Sequence, residues 1–196
     1  MSTDKPAEQD AQAEPGPQSV TGPRINKGLV IVNTGKGKGK TTAAMGVVVR
    51  AGGRGMKVIM LQFIKHSTAN FGEQRAAQKM GIEMRAMGDG FTWRSKDLDQ
   101  SAELARAHWE DCKTIIASGD YDVIVLDEFT YPMHYGWVDT EEVIEALKAR
   151  PDMVHVIITG RNAPEALVEY ADLVTEMNVV KHPYQEGIKA QPGIEF

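Results

Sequence analysis

Residues 29–45 read Leu29-Val30-Ile31-Val32-Asn33-Thr34-Gly35-Lys36-Gly37-Lys38-Gly39-Lys40-Thr41-Thr42-Ala43-Ala44-Met45. The apolar run at the start is typical of a buried strand, and the run after Gly-Lys-Thr is typical of a helix. Between them, glycines let the backbone curl so that successive N–H groups point at phosphate oxygens, and the following helix aims its positive end at the same place. This order of strand, glycine-rich turn and helix predicts a P-loop that binds a triphosphate.

The loop supplies most of the candidate nucleotide contacts. Lys40 would bring a mobile positive charge to the phosphates, and the Thr41 hydroxyl would ligate Mg²⁺. Thr34 stands where the usual G-x-x-x-x-G-K-[ST] pattern has its first glycine, which leaves open whether the protein is an ordinary NTP hydrolase. The predicted nucleotide contacts in the loop are Gly35, Lys36, Gly37, Lys38, Gly39, Lys40, Thr41 and Thr42.

Composition narrows the class of protein. The chain of 196 residues carries a formal net charge of −5, which argues against a protein that coats nucleic acid. Its one cysteine, Cys112, excludes an intramolecular disulfide framework. The sequence has neither the long apolar run of a membrane helix nor an apolar secretion signal near its start. We expect a soluble cytoplasmic protein with neither nucleic acid nor a membrane as a partner.

Two regions differ in composition. Residues 1–27 are rich in Pro, Gln, Glu, Asp and Ala, which predicts a mobile arm that is either a solvated tail or a lid over the site. Over residues 28–196, strand and helix patterns alternate, which predicts one α/β domain with a P-loop NTPase-like (RecA-like), mostly parallel sheet flanked by helices. The predicted strands are 29–32, 57–62, 82–86, 123–126, 154–159 and 173–177, and the predicted helices are 40–51, 73–80, 101–117 and 140–148.

Chemically conspicuous residues follow the predicted strands. Because ligands of an open parallel sheet bind beyond the carboxyl ends of its strands, these segments should meet at one edge of the sheet. The segments are 34–42, 63–65, 90–93, 127–128 and 160–162.

Charged residues at this edge are candidates for metal and phosphate binding. The apolar run 123–126 ends in Asp127 and Glu128, the form of the second P-loop motif that holds Mg²⁺, although a solvated turn is the alternative. We predict that Asp127 reaches the metal directly or through water and that Glu128 binds metal or nucleotide. Arg161 can reach an anionic leaving group or form a surface ion pair. Arg50 is a further candidate nucleotide contact, although a helix C-terminus attracts cations for electrostatic reasons alone.

The segment Gly88-Asp89-Gly90-Phe91-Thr92-Trp93 places two large aromatic side chains in a loop bordered by glycine. Neither helix nor strand periodicity assigns Phe91 or Trp93 to a core. Two interpretations stay open: a loop tucked onto the core, or a flat apolar wall against a planar ligand.

Taken together, these blocks resemble one known family. Residues 34–44 resemble the modified P-loop of the corrinoid adenosyltransferases of cobalamin biosynthesis and salvage. Lys36 stands where that family often has Asn or Asp, and residues 1–27 are not recognisable. Further blocks similar to the family follow in order at 62–65 (QFIK), 90–93 (GFTW), 126–128 (LDE), 156–161 (VIITGR), 180–182 (VKH) and 189–194 (KAQ-x-GI).

The resemblance implies transfer of the 5′-deoxyadenosyl group of ATP to the Co(I) of a reduced corrinoid, with triphosphate as the leaving group. It implies that ATP lies reversed in the loop, with Lys40, Thr41, Mg²⁺ (or Mn²⁺) and Arg161 absorbing the charge that develops on the triphosphate. Phe91 and Trp93 would press on the lower face of the corrin and displace its axial ligand, which makes Co(II) easier to reduce. Lys40, Phe91 and Trp93 are therefore the predicted catalytic residues.

The resemblance also implies partners: cob(I)alamin, cobinamide or cobyrinic acid a,c-diamide as substrate, a flavoprotein as reductant, and a second copy in a homodimer. The residues alone leave two other functions open. An NTP hydrolase or kinase would explain residues 39–41 and Asp127, but neither Thr34 nor the aromatic loop. A non-catalytic corrinoid carrier would keep the same pocket and release ATP intact.

Overall fold

The computed structural model describes residues 25–66, 72–88 and 98–195. The strands are β1 Val30–Thr34, β2 Val58–His66, β3 Glu83–Gly88, β4 Val123–Asp127, β5 His155–Thr159 and β6 Leu173–Glu176. The helices are α1 Lys40–Gly52, α2 Gly72–Lys79, α3 Leu98–Ser118, α4 Thr130–His134, α5 Thr140–Ala149 and α6 Glu165–Tyr170, followed by a 3-10 turn at Pro183–Glu186. The six strands form one sheet in the order β3-β2-β4-β5-β1-β6, and each neighbouring pair is parallel.

The central strands are apolar on both faces because helices cover the sheet on both sides. In β4, which is buried along its whole length, Ile124 and Leu126 face a core built with α3 and α5. Val123 and Val125 face a second core built with α1 and α2. With both faces covered, the ends of the strands are the places where this sheet can present chemistry.

The strand register aligns a row of buried polar side chains across the carboxyl edge of the sheet. Gln62 on β2 pairs with Asp127 on β4, and Asn33 on β1 pairs with Thr159 on β5. The pairing of Leu126 with Ile158 brings Asp127 and Thr159 side by side. All four polar residues are buried. Buried polar groups need hydrogen-bond partners, so we expect these four side chains to be held in defined positions at this edge of the sheet.

The predicted mostly parallel sheet flanked by helices is confirmed. All predicted strands and helices are present, and their ends shift by at most four residues. Three elements were not predicted, namely α4, α6 and the 3-10 turn, because four to six residues are too few to display a helical period. Within the described ranges, no helix is long and apolar enough to cross a membrane. Residues 1–24 of the predicted arm lie outside the described residues.

Candidate active site

The P-loop packs against the segment that follows β6. Gly35 and Gly39 have φ values of 95° and 109°, in the region that glycine adopts without steric cost. A Cβ atom on Gly35 would lie 2.5 Å from the carbonyl oxygen of Met177, and one on Gly37 would lie 2.7 Å from the same atom. The N–H of Gly37 donates to that oxygen at 2.6 Å. These glycines are therefore required by the packing of the loop as well as by its curl.

Lys40 begins α1 and is buried beneath the loop, with 6% of its surface exposed. Its Nζ donates to the carbonyl oxygens of Gly35 at 3.1 Å and Gly37 at 2.7 Å. The ammonium group is thus held inside the curl of the loop, where a phosphate bound by the loop would meet it.

Charged residues predicted from three separate segments, 34–42, 127–128 and 160–162, converge at this part of the sheet. Desolvation by burial lowers the pKa of Lys40. The negative charge of Glu128 opposes this shift, the positive charge of Arg161 adds to it, and the charge of Asp127 opposes it more weakly. Lys40, Glu128 and Arg161 line the same cleft, and Asp127 contacts Thr41 next to Lys40, so the predicted convergence at the carboxyl edge is confirmed for these residues.

Asp127 is buried directly behind the first turn of α1. Its Oδ1 accepts hydrogen bonds from the hydroxyls of Thr41 at 2.8 Å and Thr159 at 2.7 Å, and its Oδ2 accepts one from Nε2 of Gln62 at 3.2 Å. Asp127 is 1% exposed and is not part of the cleft wall. Three donors therefore hold it in one orientation behind Thr41.

The oxygen atoms of Thr41 and Asp127 fit a hard divalent cation. Mg²⁺ takes oxygen ligands and is usually bound by one or two protein groups together with substrate phosphates. The oxygen atoms of the Thr41 hydroxyl and the Asp127 carboxylate lie 2.8 Å apart at the foot of the loop. They are ligands of the kind that Mg²⁺ prefers. Across the described ranges, no group of three His, Cys, Asp or Glu side chains could hold a metal ion. A cation bound here would take the rest of its oxygen ligands from the triphosphate.

Glu128 and Arg161 both line the cleft in front of the loop. Glu128 has a φ of 60°, a conformation that costs a residue with a side chain about 1–2 kcal/mol. Its backbone N–H donates to the Thr159 hydroxyl at 2.9 Å. The carbonyl oxygen of Arg161 accepts a hydrogen bond from the Thr130 hydroxyl at 2.6 Å. Strain at Glu128 is retained because the surrounding hydrogen bonds hold it, as is common at functional sites.

The cleft is open and has a volume of about 1800 Å³. One wall is the P-loop with Glu128, Tyr131 and Arg161, and the other wall comes from the C-terminal segment 179–195. An ion pair of 2.9 Å between Lys38 and Glu195 joins the two walls. Desolvation raises the pKa of the Tyr131 hydroxyl, and the charge of Glu128 adds to this effect.

Several predicted site residues line this cleft and others do not. The loop residues from Lys36 to Thr42 do, with Gly35 just behind them. Arg50 is not brought to the site: it lies in the last turn of α1, about 15 Å from Lys40 at a rise of about 1.5 Å per residue. The expectation that it contacts the same nucleotide is not supported within one chain, and a helix C-terminus explains its place. Phe91 and Trp93 lie outside the described residues.

Three contributors to the site are not indicated by local sequence patterns. The hydroxyls of Thr130 and Thr159 were not singled out, because their roles depend on the register of β4 against β5. The C-terminal wall is indicated only by the family resemblance of residues 180–182 and 189–194. A signal was nonetheless present for Thr159, which is a polar residue at the end of an otherwise apolar strand.

Comparison with known proteins agrees with the predicted resemblance. The family model described as ATP:corrinoid adenosyltransferase BtuR/CobO/CobP matches residues 26–196. A corrinoid adenosyltransferase of Sinorhizobium sp is 45% identical over 174 residues, which cover 87% of this chain and 81% of that protein. One from Escherichia coli (strain K12) is 42% identical over 170 residues, 87% of this chain and 86% of that protein. A third, from Pseudomonas aeruginosa, is 41% identical over 175 residues, 88% of this chain and 86% of that protein. The P-loop, the buried acid behind it and these matches over most of the chain agree, and the chain belongs to the ATP:corrinoid adenosyltransferases, the enzymes that adenosylate corrinoids in cobalamin biosynthesis.

Proposed function

We propose that different parts of the protein bind the two ends of ATP, with the triphosphate in the P-loop and C5′ facing a reduced corrinoid across the cleft. The observation that carries this proposal is the convergence of Lys40, Glu128 and Arg161 on one wall, with Thr41 and Asp127 beneath it. This arrangement supports the binding of a highly charged group at one end of a nucleotide.

In the proposed step, the electron pair of Co(I) forms a bond to C5′ while the bond from C5′ to the ester oxygen breaks. The triphosphate leaves with the electron pair of the broken C5′–O bond, so negative charge grows in the loop. Lys40 and Arg161 would stabilise this charge, and they would do so best in the transition state, where it develops. Thr41 and Asp127 would hold Mg²⁺ or Mn²⁺, whose charge would help to neutralise the triphosphate.

At the corrinoid end, we propose that Phe91 and Trp93 form an apolar wall against the corrin and displace its axial ligand. The sequence supports this proposal through the position of these residues after β3 and the resemblance of residues 90–93 to the family. Such a wall would also keep water from the Co(I) nucleophile. Cob(I)alamin, cobinamide and cobyrinic acid a,c-diamide are the proposed substrates.

The remaining partners belong to the same proposal. We propose that the enzyme acts in the cytoplasm as a homodimer and takes its electron from a flavoprotein. Residues 1–27 would close over the occupied site, and protection of this arm from proteolysis when both substrates are added would support that role.

The experiment that tests the proposal is identification of the phosphate product. Cob(II)alamin, a strong reductant and Mg-ATP should yield triphosphate together with a light-sensitive Co–C bond. ADP and phosphate would instead indicate a hydrolase, and unchanged ATP would indicate a carrier. Lys40→Ala should weaken ATP binding by about tenfold or more, because a charge-assisted contact to phosphate is lost. Lys79→Ala, at the far end of α2, is the matched control and should bind ATP normally.

A further inference from the structure

Two threonine hydroxyls cross-connect the ends of β4 and β5. Thr159, the last residue of β5, donates to Oδ1 of Asp127 at 2.7 Å and accepts the N–H of Glu128 at 2.9 Å. Thr130, the first residue of α4 after β4, donates to the carbonyl oxygen of Arg161 at 2.6 Å. Thr159 at the end of β5 thus holds the acidic segment at the end of β4. Thr130, which follows β4, in turn holds the turn after β5 that carries Arg161.

Both threonines are fully buried, with 0% of their surface exposed. Each hydroxyl therefore acts where water does not compete for its hydrogen bonds, and such bonds fix geometry more firmly than exposed ones. Gly160 lies between the two contacts with a φ of 142°, and a Cβ atom there would fall 2.0 Å from Oγ1 of Thr130. The absence of a side chain at residue 160 allows Thr130 to approach the turn that carries Arg161.

We infer that Thr159 and Thr130 are positioning residues, a hydroxyl pair that fixes the acids Asp127 and Glu128 relative to Arg161. Neither hydroxyl belongs to the cleft wall, so both act through the groups they hold. The inference rests on the proposed function, which assigns the two acids and Arg161 to the triphosphate and its metal. Loss of either hydroxyl would let the acids Asp127 and Glu128 shift relative to Arg161, while the corrinoid side of the cleft would stay intact.

The test compares variants that differ by a hydroxyl. Thr159→Val and Thr130→Val keep the shape of the side chain and remove the hydroxyl, whereas Thr159→Ser and Thr130→Ser keep it. Partners that orient a ligand or a metal usually contribute about 10–100-fold to affinity or activity. We expect each valine variant to lose kcat by about this factor with an unchanged KM for the corrinoid, and each serine variant to recover most of it. Thr175→Val on the exposed face of β6 is the control and should behave as wild type.

Amide hydrogen exchange gives a readout that does not depend on turnover. Because the N–H of Glu128 donates to the Thr159 hydroxyl, its exchange should accelerate in Thr159→Val and not in Thr159→Ser. If a valine variant fails to fold, the serine and alanine variants make the same comparison, since they differ by the hydroxyl alone.

Asp127→Asn and Arg161→Ala, measured in parallel, separate this inference from the proposed function. If both retain wild-type kcat, the roles proposed for the acids and Arg161 are wrong. If both lose kcat while the folded valine variants keep it, or if serine does not rescue the loss, the hydroxyl pair does not position the site.

Discussion

The hydroxyl of Thr34 accepts a hydrogen bond from the backbone N–H of Ala163 at 3.3 Å. Thr34 is the last residue of β1, at the position where the usual P-loop pattern has its first glycine, and Ala163 follows the turn that carries Arg161. The residue that departs from the pattern therefore joins the base of the phosphate loop to the arginine turn. A glycine at this position could not make that contact.

Removal of the Thr34 hydroxyl should destabilise the protein and reduce turnover. Thr34→Val leaves the N–H of Ala163 without this acceptor, which typically costs about 1–2 kcal/mol when the group is partly buried. We expect a lower kcat/KM for ATP because the loop and Arg161 are no longer tied. Urea unfolding and initial rates measure the two effects.

Thr34→Ser is the matched control, since it retains the hydroxyl and should stay close to wild type. Thr34→Gly restores the usual pattern, and we expect it to lower transferase activity without creating an ATP hydrolase. The appearance of ADP with the glycine variant would contradict this view, because it would make residue 34 the determinant of reaction type.

Gly160→Ala should be among the more damaging single-methyl changes at this edge of the sheet. The new Cβ would lie 2.0 Å from Oγ1 of Thr130, at a φ of 142° that residues with a side chain rarely adopt. Overpacking and backbone strain together predict a loss of about 2–4 kcal/mol in the free energy of unfolding. Activity should fall as well, because Thr130 must move away from the carbonyl oxygen of Arg161.

Gly46→Ala provides the control for Gly160→Ala. Gly46 lies within α1, and a Cβ atom there would meet nothing within 4 Å. Alanine is favoured over glycine inside a helix by about 0.5–1 kcal/mol, so this variant should be more stable than wild type. Equal effects of the two substitutions would show that contact with Thr130 does not explain the result at residue 160.

These contacts also show which parts of the structure a sequence can predict. The apolar strands and the glycine-rich loop are predictable because their patterns are local. The contact between Thr159 and Asp127 is not, because it depends on the register in which two distant segments pair. Arg50 is a candidate nucleotide contact in the sequence, but it lies in the last turn of α1, away from the loop. Local sequence patterns thus predict the class of ligand. The register in which distant strands pair determines which hydroxyls hold the site residues in place.

Asp172 should make stability depend on acid pH. Burial alone would raise the pKa of Asp172, but hydrogen bonds from Lys27 and from the N–H of Val30 outweigh it and hold the pKa below its ordinary value of 3.8. A lowered carboxyl pKa stabilises the fold above about pH 3.8, and this contribution is lost as the pH falls through the lowered value. Asp172→Asn should therefore cost about 1 kcal/mol at neutral pH, given the partial exposure of the pair.

The difference between wild type and Asp172→Asn should shrink below pH 3.8, where the wild-type carboxyl group also loses its charge. Urea unfolding of both proteins at neutral and acid pH measures it, and the exposed Glu169→Gln variant controls for the loss of one negative charge. A difference that stays constant with pH would mean that the carboxyl group contributes by shape and not by charge.

Cys112 offers a measure of triphosphate binding that does not require turnover. It is the one cysteine of the chain and is fully buried in α3, and burial raises the pKa of its thiol well above the ordinary value. A thiol-directed reagent should therefore label the folded protein only through unfolding, and a ligand of the folded state should slow that labelling. At a Mg-ATP concentration of about 100 times Kd, we expect labelling to slow by about 100-fold.

Lys40→Ala should abolish most of this protection at the same Mg-ATP concentration, whereas Lys79→Ala should keep it, because only the first side chain lies within the curl of the loop. The labelling rate without nucleotide, measured for each variant, corrects for any change in stability. Full protection of Lys40→Ala would show that the loop holds the triphosphate without its lysine. Rapid labelling of the folded wild type would mean instead that α3 opens locally and that Cys112 does not report on global unfolding.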